Sequence, residues 1–257
     1  MGTIAPITAG KEVMTDSKGR FEQDLIVLQS RLTFDMEAEA ASKLNKLKDD
    51  LVRLHKENVV KINHSVMELV CAKYLIIKGY DVQVEYPLDE LLTCDLYAVK
   101  GLGNLVVEIE TGYIPPEHAM DPLTYTYARL ASKIIRYSGF AGKFAIGVPP
   151  HYILQLPRAL ALPPKRRTPT DVERIKNLCD WYYQKPPVTE DGIRNARIQE
   201  IYIIDVDHLE VQAMDPGAYM KRAVHKGTMF TIDEPLVEQV KTALPIRDNE
   251  KLDYYTK

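Results

Sequence analysis

Hydrophobic positions return along this chain in two rhythms, and the switch between them marks its elements. From Phe21 to about Glu57 the apolar residues Leu25, Leu28, Leu32, Met36, Ala40, Leu44, Leu47, Leu51 and Leu54 recur at steps of three and four, the period of a single helix face. Charged residues fill the positions between them. The pattern predicts a helix or helical hairpin packed on the body. Ala40–Leu54 also keeps near-heptad spacing, which would suit a short coiled coil joining two copies of the chain through residues 21–57. A further helix is predicted over His64–Lys78, with Val66, Leu69, Val70, Tyr74 and Ile77 on one face and Gly79 as its stop.

The period then falls to two. Asp81–Tyr86 alternates, Asp95–Val99 is short, and Leu105–Ile109 is an almost continuous apolar run, so three strands are predicted. Gly101-Leu102-Gly103-Asn104 reads as the hairpin turn between the last two. Residues 122–138 return to a helical period, and Lys143–Val148 reads as a strand ended by Pro149-Pro150. Further on, Pro163-Pro164-Lys165-Arg166-Arg167 looks like a linker or exposed loop. Thr170–Tyr183 looks like a helix opened by a Thr170–Glu173 capping box. Ile198–Val206 and His208–Ala213 read as paired strands, and Glu234–Leu244 as a closing helix. The expected organisation is a tail over residues 1–20, a helical extension over 21–58, a core over 59–160 and an elaboration or small second domain over 161–257.

Composition changes this picture little. The chain has 257 residues, 46% of them hydrophobic and 27% charged, enough to bury a full core and too apolar for wholesale disorder. The formal charge of −3 gives no global attraction to nucleic acid, so any such affinity must come from a local patch. Cys71, Cys94 and Cys179 are odd in number and lack CxxC spacing, which argues against a disulfide framework or zinc knuckle. No stretch is long and apolar enough for a membrane span. The first twenty residues have neither a basic leader nor an apolar core, so a cytoplasmic protein is expected.

The candidate chemistry lies in Glu68 … Cys94-Asp95-Leu96-Tyr97 … Val107-Glu108-Ile109-Glu110-Thr111. Alternation along a strand sends Glu108 and Glu110 to the same face. Asp95 opens the preceding hairpin strand and so lies across from the far end of its partner. Three carboxylates thus converge inside a Val/Ile/Leu-rich segment, where burial alone would not place them. Clustered carboxylates repel one another, and a hard cation such as Mg²⁺ is the usual remedy. Each residue also has a plainer reading. Asp95 could be a strand-entry turn residue, and the two glutamates could face solvent on an edge strand or pair with the basic helix. Glu68 could be the capping-box partner of Ser65, and His64 either a fourth ligand or a helix-start residue. Arg129, Lys133 and Arg136 lie at i, i+4 and i+7 on the next helix, either as a solvated face or as a phosphate-contacting surface.

At these residues the chain resembles the PD-(D/E)xK nuclease superfamily. The resemblance covers about residues 60–150, with element order helix, three strands, helix, strand. Its acidic positions fall on Glu68, Asp95 and Glu108, and the Asp-to-Glu spacing of thirteen is similar to that of archaeal Holliday junction resolvases. What the resemblance implies is an α/β, restriction-endonuclease-like core with a mixed sheet flanked by helices. It also implies Mg²⁺ or Mn²⁺ on Asp95, Glu108 and Glu68, and DNA cleavage leaving a 5′-phosphate. Glu110 departs from the pattern by standing where the family has lysine. Some restriction endonucleases of this fold carry Glu-x-Glu there, and in some relatives a lysine reaches in from the next helix, a place that Lys133 could take. A non-catalytic member, serving as a DNA-binding or assembly module, is the alternative.

Overall fold

The computed structural model describes residues 17–60 and 62–225. The expected closing helix over 234–244 and most of the expected tail lie outside them, while Ser17–Arg20 belong to the first helix. The helical period of the N-terminal region resolves into a hairpin of α1 (Ser17–Leu32) and α2 (Ala38–Lys56), followed by α3 (Ile62–Ile77). Gly79 follows α3 in the left-handed conformation, φ 82°, which glycine adopts without a side-chain penalty. Then come β1 (Asp81–Pro87), β2 (Thr93–Lys100), β3 (Gly103–Ile109), α4 (Pro122–Tyr137) and β4 (Lys143–Val148). Short helices α5 (Arg158–Ala161) and α7 (Glu190–Asn195) flank α6 (Pro169–Tyr182), before β5 (Glu200–Asp205), β6 (Glu210–Met214) and α8 (Pro216–His225).

All six strands form one mixed sheet in the order β1-β2-β3-β4-β5-β6. β1, β2 and β3 are antiparallel neighbours, β3–β4 and β4–β5 are parallel, and β6 returns antiparallel to β5. The parallel pairs need crossovers, and α4 supplies the first. The continuous apolar run of β3 follows from burial on both faces. Leu105, Val107 and Ile109 face a core shared with Leu25, Leu44, Leu51, Leu69 and Leu75 of the N-terminal helices. Val106 faces the other core, with Leu130 and Ile134 of α4, Phe144 and Ile146 of β4, and Val172 and Ile175 of α6. The leucine stripe of α1 and α2 is therefore spent inside the chain.

Two details differ from the sequence reading. The α6 capping box is Thr168 with Asp171, not Thr170 with Glu173, because Pro169 occupies the first helical position and puts Thr170 inside the first turn. Within the basic run 165–167, Arg167 is a structural clamp: its guanidinium donates to the carbonyls of Ala159, Leu160, Leu162, Ile193 and Arg194. Cys71, Cys94 and Cys179 are buried free thiols. No helix among the described residues is long and apolar enough to cross a membrane.

Candidate metal and ion-pair site

The site forms where β2 and β3 separate. Their register runs from Lys100 opposite Gly103 to Leu96 opposite Val107 and stops there. Beyond that point side chains replace the ladder. The Asp95 amide donates to Glu108 Oε1 at 3.1 Å, and the Ile109 amide donates to Asp95 Oδ2. Two backbone donors that splaying would leave unpaired are thereby satisfied. Asp95 and Glu108 thus hold the opening in shape as well as placing charge in it.

Glu110 continues the line of β3, its amide donating to the Gly147 carbonyl at 2.8 Å. Its carboxylate is only 1% exposed and that of Glu108 3%. Both meet cations from α4. Lys133 Nζ lies 2.9 Å from Glu108 Oε2 and 2.8 Å from Glu110 Oε1, and donates to the Ile109 carbonyl at 3.3 Å. Arg129 donates to Glu110 Oε2 and, at 2.7 Å, to the Tyr113 carbonyl. The i, i+4 spacing of these cations brings both onto the carboxylates of β3. Arg136, two turns on and about 10 Å along the axis, stands apart. It donates to the Pro186 carbonyl and lies over the Tyr183 ring, so the predicted three-residue phosphate surface is not assembled.

From the opposite layer, α3 contributes His64 and Glu68, one turn apart. His64 Nδ1 is 3.7 Å from Asp95 Oδ1. One ligand atom each from His64, Glu68 and Asp95 fall within 4.8 Å of one another. Metal–ligand bonds of about 2.1 Å put neighbouring ligands ~3 Å apart and opposite ones ~4.2 Å apart, so a small inward shift of these side chains would bring the group to metal-binding size. Glu68 is fully buried, and among the described residues neither carboxylate oxygen has a hydrogen-bond partner. It does not cap α3, which begins before Ser65. A buried carboxylate without partners is unfavourable unless it is protonated or meets a cation, and this orphaned pair of oxygens fits a metal site.

Glu85 joins the cluster unannounced by the sequence. Alternation along β1 groups it with the exposed Asp81 and Gln83, but its φ of 46° distorts the strand between Val84, which packs in the core under the N-terminal helices, and Tyr86, which packs against the other core. The irregularity leaves Glu85 half-buried beside Asp95. A backbone distortion of this kind, with the pairing register kept on either side of it, leaves no trace in the hydrophobic pattern.

Electrostatics divides the five carboxylates. Burial, reinforced by Asp95, Glu85 and Glu108, pushes Glu68 well above the usual carboxylate range. Burial and Asp95 push Glu108 up to about 8 against the pull of Lys133. Glu85 is raised to about 8 by the same two causes. Burial opposes ionisation of Asp95 and Glu110 too, but is outweighed. His64, Lys133 and the Ile109 amide hold Asp95 low, and Lys133 and Arg129 hold Glu110 low. Lys133 in turn is held charged by Glu108, Glu110 and Asp95 despite its burial. The α4 side is a closed ion-pair network, whereas the α3 side holds carboxyl groups that no cation there balances among the described residues.

Beside this site the loop from Glu110 to Asp121 is anchored by its own buried group. Tyr182 donates to Asp121 at 2.6 Å, His118 Nδ1 lies 3.5 Å from Asp121, and the His118 ring stacks on Tyr125. The Trp181-Tyr182-Tyr183 run belongs to this packing. Comparison with protein families, curated proteins and solved structures finds no match to the chain.

Proposed function

We propose that the chain is a metal-dependent nucleic-acid phosphodiesterase of the PD-(D/E)xK type, with DNA as its substrate. One observation carries this reading: Lys133 reaches from α4 to within 2.9 Å of Glu108 and 2.8 Å of Glu110. A lysine ammonium therefore stands beside the acidic cluster although the strand motif reads Glu-x-Glu. The order α3-β1-β2-β3-α4-β4 and the meeting of Glu68, Asp95 and Glu108 at one sheet opening support it.

Asp95 and Glu68 are the donors for Mg²⁺ or Mn²⁺, with Glu108 beside them. A bound divalent cation supplies polarisation of the phosphate and a lowered pKa for an attacking water. Lys133, held charged by its carboxylate neighbours, is placed to stabilise charge developing on a phosphate oxygen. Glu110 fixes Lys133 and Arg129 and does not itself need to touch substrate. Glu108, held near 8 by burial and Asp95, suits proton transfer at neutral pH.

The test is cleavage of labelled DNA with Mn²⁺ by the wild type, Lys133→Ala and Lys133→Arg. Cutting that is lost in Lys133→Ala and partly kept in Lys133→Arg supports the assignment. Undiminished cutting by Lys133→Ala removes the lysine from the mechanism. A second reading, a non-catalytic DNA-binding or assembly module, draws on the closure of the α4 network, in which Arg129 and Lys133 are already occupied by carboxylates. Salt-sensitive DNA binding without cleavage would favour it.

A further inference from the structure

The donors around this opening are not equivalent. Glu110 is committed to Arg129 and Lys133, and Glu108 to Lys133 and the Asp95 amide. One Asp95 oxygen accepts from the Ile109 amide, while the other turns towards His64. Among the described residues, Glu68 has both oxygens free of hydrogen bonds and is fully buried. The ligand atoms that lie within 4.8 Å of one another are two carboxylates and an imidazole, from His64, Glu68 and Asp95. The His64 side chain is 34% exposed, giving the group an open side for water and for cation entry.

We propose that His64, Glu68 and Asp95 form a nitrogen-bearing cation site that selects first-row transition metals of the Mn²⁺ class over Mg²⁺. This deepens the metal-dependent reading above and concerns the same opening. The chemical reason is the imidazole. Mg²⁺ is a hard cation that holds its water tightly and prefers all-oxygen, near-octahedral surroundings. Imidazole nitrogen suits the transition metals better, and affinity at mixed N/O sites rises from Mn²⁺ through Co²⁺. Two carboxylates cancel the charge of one divalent cation, and a neutral imidazole adds a directional bond without adding charge. Three ligands on one side also leave coordination positions open for water or a phosphate oxygen. The geometry thus makes His64 the residue that decides which cation is held.

The experiment measures binding without substrate. Free Mn²⁺ is followed by its electron paramagnetic resonance signal as it is titrated into the full chain, alone and against Mg²⁺. The variants are His64→Ala and Glu68→Gln, each checked for folding by thermal melting. Glu68→Gln removes a ligand carboxyl group and keeps the side-chain volume, so it should fold as the wild type does. The wild type is expected to take up Mn²⁺ in the presence of a roughly 100-fold excess of Mg²⁺. His64→Ala should weaken Mn²⁺ by at least about 10–100-fold, the scale of losing even a residue that only orients a ligand. Its Mg²⁺ affinity should change far less, so the preference collapses, and Glu68→Gln should lose Mn²⁺ altogether. Equal weakening of both metals in His64→Ala, wild-type Mn²⁺ affinity in either variant, or no Mn²⁺ uptake by the wild type would overturn the proposal. Failure of the nuclease reading looks different: selective Mn²⁺ binding with no cleavage of any DNA leaves this site standing and removes the reaction.

Discussion

Glu68 and Lys133 sit at opposite ends of one balance. Glu68 is a buried carboxylate that no group among the described residues compensates, and Lys133 is a buried ammonium compensated twice. Removing Lys133 leaves Glu108 and Glu110 buried with less countercharge, so Lys133→Met should destabilise the fold by about 3–5 kcal/mol in urea unfolding. A stability unchanged from wild type would show that the network is not holding α4 on the sheet. The pH response follows from the carboxylates. Glu68, Glu85 and Glu108 are raised from an ordinary value of 4.5, the last two to about 8. Between about pH 5 and 8 the folded state thus binds more protons than the unfolded chain, and metal-free stability should fall as pH rises. The slope is about 1.4 kcal/mol per pH unit for each proton so retained. Asp95 and Glu110, shifted the other way, contribute stability that is lost only as pH falls below their ordinary range. Saturating Mn²⁺ should flatten the slope by taking the place of the protons, and Glu68→Gln should reduce it without metal. A metal-free stability that rises from pH 5 to 8 would refute this distribution of charge.

Among the elements, the strand–strand opening and the loop after β3 shape the site. Gly112 has φ 80°, and a Cβ there would meet the Tyr152 ring at 2.5 Å. Gly112→Ala should therefore lower stability by about 1–3 kcal/mol through strain and overpacking. It should also disturb the Tyr113 carbonyl that receives Arg129; a melting temperature equal to wild type would mean that the loop yields freely. The elements themselves were largely legible, because the change from a period near 3.6 to a period of two is a direct image of which faces are buried. α3, α4 and β4 fall within a residue or two of their predicted ends. Asp95, Glu108 and Glu110 could be chosen because carboxylates inside an apolar run violate the burial rule, and that violation is visible in letters alone, whereas Glu68 and Lys133 enter through the family resemblance. Glu85 could not, since its inclusion depends on a backbone irregularity that breaks the alternation. Nor could the division between Arg129, Lys133 and Arg136, which share a helical stripe but differ in what lies opposite each of them. The Thr168 cap was missed because two overlapping Thr-x-x-acid patterns compete, and Pro169 decides between them.

At the scale of the molecule, six strands separate two apolar cores, one under the N-terminal helices and one under α4 and α6. The acidic cluster sits where α3 from one layer and α4 from the other reach the same opening. Leu51 is fully buried in the first core, so Leu51→Ala should cost about 2–5 kcal/mol in a single unfolding transition. A separate early transition for residues 17–56 would instead make the hairpin an independent unit. The net charge of −3 gives no global attraction to nucleic acid, so the contact that the proposed function requires must come from a local patch. The central claim is best tested by incubating labelled branched, duplex and single-stranded DNA with the full chain and Mg²⁺ or Mn²⁺. A chelator control and Glu108→Gln, prepared identically, complete the set. Metal-dependent cutting of at least one substrate that disappears with chelator and in Glu108→Gln is the predicted result. Intact DNA in every lane, with the protein folded and metal supplied, would contradict it.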